Sequence, residues 1–116
     1  MKDCTVNILG TEYKIYHRDE NEDELLDGKY RDGYTDISNH EIIICNKKEE
    51  CELRDYESYK KAVLRHEILH AFLYECGLDN CSGSTTCGWA MNEEMIDFFA
   101  IQFPKINKIF QELDIL

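Results

Sequence analysis

The sequence predicts a small α+β domain. Short runs of alternating or β-branched apolar residues fill the first 45 positions, and two long helical patterns fill the positions after 55. Size points the same way. At 116 residues, 43% of them hydrophobic, the chain can build one core but not two, so residues 1–116 are expected to form a single domain.

The elements follow in order. TVNILG and TEYKIYHRD read as two strands around a turn at Gly10, with apolar side chains alternating at Val6 and Ile8, then at Tyr13 and Ile15. The acidic run DENEDELLDG holds Leu25 and Leu26 and reads as a short helix, its carboxylates forming a solvated face. Gly28 and Gly33 punctuate a loop. GYTDISNHEIIIC then carries a third strand with room for a fourth, and Ile42, Ile43 and Ile44 form the strongest β-branched run in the chain. A small, mostly antiparallel sheet of three to four strands is expected.

Asp55 is a good N-cap for a helix running to Cys76. Gly77 suits a left-handed C-cap with Leu78 folded back on the last turn. LDNCSGSTTCG reads as a loop. A second helix should start at Asn92, where Glu93 and Glu94 in the first turn suit the helix dipole. Pro104 should kink or break it, leaving KINKIFQEL as a further helical segment.

Charge narrows the function. With 24 acidic against 13 basic residues the net charge is -11, which repels phosphate backbones, so no nucleic-acid partner is expected. The opening MKDCTVNILGTEY lacks a signal-peptide pattern, and no stretch approaches the roughly 20 apolar residues that span a bilayer. A cytoplasmic location follows, without a membrane partner. The six cysteines should then be reduced thiols, and no Cys-x-x-Cys pair suggests a zinc ribbon. A disulfide at the loop cysteines Cys81 and Cys87 is the alternative.

The chemistry concentrates in RHEILHAFLYECG, residues 65–77. His66 and His70 stand one helical turn apart, so both imidazoles can reach one ion, while Glu67 is rotated aside, within reach of a water on that ion. A helix that merely buries two histidines is the plain alternative. It would leave the charge of Glu67 without a partner on a helix that is otherwise largely apolar. Catalytic zinc needs a third protein ligand. Glu93 and Asp97, four apart in WAMNEEMIDFFA, share a helical face; one carboxylate can bind the metal while the other holds a ligating histidine in orientation. Iron or manganese also suits two histidines and a carboxylate.

HEILH together with NEEMID resembles the gluzincin branch of zinc metallopeptidases. More closely, RHEILHAFLYECGL and WAMNEEMIDFFAIQFPKI, with NILGTEYKIY and DGYTD, are similar to small phage- and prophage-encoded zincin-like proteins related to the ImmA/IrrE-type metallopeptidases. That resemblance covers nearly the whole chain. It implies a minimal zincin-like domain, the sheet packed on an active-site helix and a C-terminal ligand helix. It also implies zinc held by His66, His70 and Glu93, with Asp97 behind a histidine and Glu67 as general base. The substrate would be a protein or peptide inside the cell. Tyr34, His40 and Tyr74 are the candidates for stabilising the tetrahedral intermediate, and the strand at Ile42–Ile44 for pairing with a substrate backbone. The rival reading is a metal-stabilised regulatory or binding protein without proteolytic activity.

Overall fold

The computed structural model describes residues 1–28, 31–81 and 88–116. It is an α+β fold. Four strands, β1 (Cys4–Ile8), β2 (Thr11–Arg18), β3 (Gly33–Asp36) and β4 (Glu41–Cys45), form one sheet in the order β1-β2-β4-β3. β1–β2 and β3–β4 are antiparallel, whereas β2 and β4 run parallel, with Ile15 opposite Ile42. The helices are α1 (Tyr56–Glu75), the short α2 (Leu78–Cys81) and α3 (Glu93–Glu112).

The Ile42–Ile44 run is buried because both faces of the sheet are covered. Ile42 and Ile44 join Ile8, Tyr13 and Ile15 against Ala71, Val63, Leu64 and Ile68 of α1. Ile43 and Cys45 point the other way, onto Leu26, Tyr16 and Tyr34. The acidic run therefore forms less helix than its sequence suggests: a single 3-10 turn at Glu20–Glu22, closed by a capping box between Asp19 and Glu22. What the run contributes is Leu26, fully buried under the sheet.

Both ends of α1 are tied to strands. Asp55 caps its start by accepting from the Ser58 N–H at 3.1 Å, and Gly77, at φ +87°, follows its last turn as expected. The Tyr56 hydroxyl donates to the Cys45 carbonyl at 2.6 Å. The Glu75 carboxylate accepts from Thr11 Oγ1 at 2.9 Å and from Tyr13 Oη at 2.8 Å. Gly33 lets β3 approach the helix, since a Cβ there would lie 2.9 Å from Val63 Cγ1. Leu78, 47% exposed, opens α2, so a new helical turn begins where the sequence reads as a loop. The remainder of the expected loop, and a disulfide between Cys81 and Cys87, lie outside the described residues and side chains. Cys4, Cys45, Cys51 and Cys76 are free thiols. Among the described residues no helix is long and apolar enough to cross a membrane.

Pro104 does not end the second helix. α3 runs unbroken through it, starting where Asn92 Oδ1 accepts from the Met95 N–H at 2.8 Å. A proline has no N–H to give the carbonyl four residues back, here that of Ala100, a residue only 1% exposed. Arg65 on α1 supplies the missing donor through Nε. The helix interruption is thereby turned into a cross-link between the two long helices.

Arg65→Met is expected to cost about 1–3 kcal/mol, because it leaves a buried carbonyl unsatisfied. In a Pro104→Ala background the backbone N–H returns and the same substitution should cost less; denaturant melts of the four proteins of this cycle measure the difference. Alkaline stability gives a second check. Burial pushes the Cys45 thiol from 9.0 up to about 11. Its contribution is intact below pH 9.0 and lost as pH rises through about 11, because unfolding then releases the proton. Stability should fall over that interval, and less steeply in Cys45→Ala.

Candidate metal centre

α1 and α3 meet at four side chains. His66 Nε2 lies 3.0 Å from His70 Nε2 and 3.0 Å from Glu93 Oε2. His70 Nε2 lies 3.1 Å from Glu93 Oε1. His66, His70 and Glu93 thus form a three-donor group able to hold a metal ion. Behind it, Asp97 Oδ1 is 2.7 Å from His66 Nδ1.

Proton bookkeeping tests whether a cation suits the group. A carboxylate only accepts hydrogen bonds, so the proton of His66 sits on Nδ1, facing Asp97. In the neutral imidazole Nε2 then presents a bare lone pair to Glu93 Oε2 at 3.0 Å. His70 carries at most one proton on its own Nε2 and cannot relieve that contact as well. A metal cation placed among the three residues would relieve that contact. Zinc bonds of about 2.0–2.2 Å at tetrahedral angles set ligand atoms roughly 3.3–3.6 Å apart, and here one ligand atom of each residue lies within 4.8 Å of the others. The donor set of two imidazoles and a carboxylate suits a zinc ion after a small adjustment of the side chains.

Glu67 stands beside this group, not in it. Its residue is 7% exposed, and its carboxylate accepts from Thr35 Oγ1 at 2.8 Å. Burial raises the carboxyl above its ordinary range, against the opposing pull of the Thr35 hydroxyl and the two histidines. Thr35 Oγ1 also lies 3.0 Å from the Glu67 carbonyl, so β3 fixes both the helix and its acid.

A cleft of about 780 Å³ runs past these groups, between β3 and the two long helices. Three expectations change here. The Ile42–Ile44 strand has no open edge, because β4 pairs with β2 on one side and β3 on the other; β3 is the edge strand along the cleft. Tyr34 lies on the cleft wall, but its hydroxyl is committed to Asp23 Oδ2 at 2.6 Å, and burial holds its proton more tightly than usual. His40 is packed edge-on against Tyr13, with ring centroids 5.3 Å apart, and is not among the cleft residues. Tyr74 does line the cleft. Thr35 and Tyr59 are cleft residues that sequence reasoning passed over; the Tyr59 hydroxyl donates to Asp32 Oδ2 at 2.6 Å. The GYTD strand pattern places Thr35 in a strand, but only the pairing of β3 shows that it meets α1.

Compared with known protein families, curated proteins and solved structures, the chain has no match. The site stands on its own geometry: two helices, a three-donor group, and a buried acid that is not part of it.

If Asp97 orients His66, Asp97→Asn should keep the fold and weaken zinc affinity by roughly 10- to 100-fold, as losses behind a ligating histidine do. Glu93→Gln, which removes a donor of the group, should weaken it further. Competition with a chromophoric chelator measures both, and the reverse order of severity would exchange the two roles.

Proposed function

We propose that this protein is a zinc-dependent peptidase of the zincin type, with His66, His70 and Glu93 holding the metal and Glu67 as general base. The observation that carries the reading is Glu67 itself. A site that binds metal only for stability has no use for a buried carboxylate left outside the ligand group. Here one Glu67 oxygen is held by Thr35, and the residue lines the same cleft as the three donors. The resemblance of HEILH and NEEMID to gluzincins agrees with this assignment.

Zinc bound at such a site polarises a carbonyl and lowers the pKa of a water towards 7. The chain's own residues supply the rest. The Glu67 carboxylate accepts a proton from the attacking water as the C–O bond forms. It passes that proton to the amide nitrogen as the C–N bond breaks. Thr35 holds the carboxylate in one rotamer, so its second oxygen keeps a fixed direction. Asp97 keeps the Nδ1 proton of His66 in place and its Nε2 free to ligate. β3 offers an extended substrate an open strand edge. The substrate is then a protein or peptide segment that can lie extended along the cleft.

Glu67→Gln tests the assignment. The amide still accepts from Thr35 but takes no proton, so zinc content should be unchanged while turnover falls by roughly 10²–10⁴-fold. New peptide termini are counted by mass spectrometry in a bacterial lysate treated with wild type, Glu67→Gln or chelated protein. Termini made only by the metal-loaded wild type are expected; identical profiles in all three would favour a metal-stabilised binding protein.

A further inference from the structure

The two ends of the cleft differ in chemistry. β3 runs alongside α1, with Gly33 against Val63 and Thr35 bonded to Glu67. Ile37 comes just past the end of β3, towards the last turns of α1, and lines the cleft together with Tyr74 and Asp79. Tyr74 stands one helical turn beyond His70. A long helical side chain leans back over the turn before it, so the Tyr74 ring lies towards the metal centre. Asp79 belongs to α2, two residues after the turn at Gly77. This end of the cleft therefore offers an apolar wall and one carboxylate.

The other acids on the cleft are committed. Asp32 accepts from Tyr59, Glu67 accepts from Thr35, Asp97 faces His66, and Glu93 belongs to the three-donor group. Asp79 is half-buried and has no hydrogen bond or ion pair among the described residues. Arg31, the basic side chain among the described cleft residues, lies at the opposite end, over the Tyr34 ring at 5.9 Å. A half-buried carboxylate without a counter-charge is suited to receive a cation from outside. One carboxylate offers too few oxygens for a divalent ion such as calcium, which takes about six or more. It suits a positive charge carried on a long apolar stem, whose methylenes can pack along Ile37 and the Tyr74 ring while the head reaches Asp79.

We infer that Ile37, Tyr74 and Asp79 form a subsite for a lysine or arginine side chain of the substrate. A strand advances about 3.3 Å per residue, so Ile37 stands roughly two residues along from Thr35 and the buried acid that it holds. The basic residue then falls within two residues of the cleaved bond. This inference rests on the peptidase reading and adds to it the class of peptide that the cleft selects.

The test uses peptides made by cutting a bacterial lysate after glutamate, which leaves lysine and arginine inside the chains. After incubation with the zinc-loaded protein, mass spectrometry should find lysine or arginine at one fixed position within two residues of the cut. The enrichment should be roughly 10- to 100-fold, the worth of a hydrogen bond to a charged group. Asp79→Asn should lose it, and Asp79→Lys should exchange it for aspartate or glutamate, both at unchanged zinc content. Asp32→Asn, at the other end of the cleft, should keep it. A readout on wild type alone replaces the basic residue of one cleaved peptide by norleucine, which keeps the stem without the charge; cleavage should slow by the same factor. Cleavage without a basic preference, a norleucine peptide cut as fast as its parent, or equal losses in Asp79→Asn and Asp32→Asn would overturn this inference and leave the peptidase reading standing. A wild type that cuts no peptide overturns that reading and this inference with it.

Discussion

Two imidazoles and a carboxylate from two different helices, with one ligand atom of each within 4.8 Å of the others, are the arrangement that the rest of this fold serves. His66 Nε2, His70 Nε2 and Glu93 come together only because α1 and α3 are fixed in register. That register is set at several points. Asp97 bonds His66, Arg65 caps the carbonyl that Pro104 leaves open, and Ala100 packs fully buried at the crossing. α1 is itself anchored to the sheet at Tyr56 and Glu75. A cation among the three donors would tie α1 to α3, and its binding would then be coupled to helix docking.

The same coupling explains where the buried acid sits. Glu67 follows His66 directly, so α1 turns it away from α3 and towards β3, where Thr35 receives it. Strand and helix can come that close because position 33 has no side chain to hold them apart. The sheet is therefore more than a platform for α1. Its edge strand forms one wall of the cleft and orients Glu67, the buried acid among the described residues that line it.

Much of this was legible in the sequence, and the parts that were not share a cause. Four-residue spacing on each helix is a local property, so His66 with His70 and Glu93 with Asp97 could be paired from sequence alone. Cap residues Asp55 and Asn92 and the turn at Gly77 are local too, and the helices begin and end there. Strand order is not local. The run at Ile42–Ile44 looked like a free edge but is central, and its unbroken hydrophobicity reflects burial on both faces. Pro104 reads as a break for the same reason: its remedy comes from Arg65, distant in sequence. Residue type makes Tyr34 and His40 eligible, but only the fold shows that the Tyr34 hydroxyl donates to Asp23 and that His40 packs against Tyr13.

If the proposed centre is right, two imidazoles and one carboxylate, and none of the six cysteines, hold the metal. Zinc K-edge X-ray absorption on the zinc-loaded protein reads the ligand atoms directly. Nitrogen and oxygen scatterers are expected at about 2.0–2.2 Å, with the outer-shell pattern of two imidazoles and no sulfur. A sulfur shell at about 2.3 Å would contradict it, because a thiolate would then have taken the place assigned to Glu93.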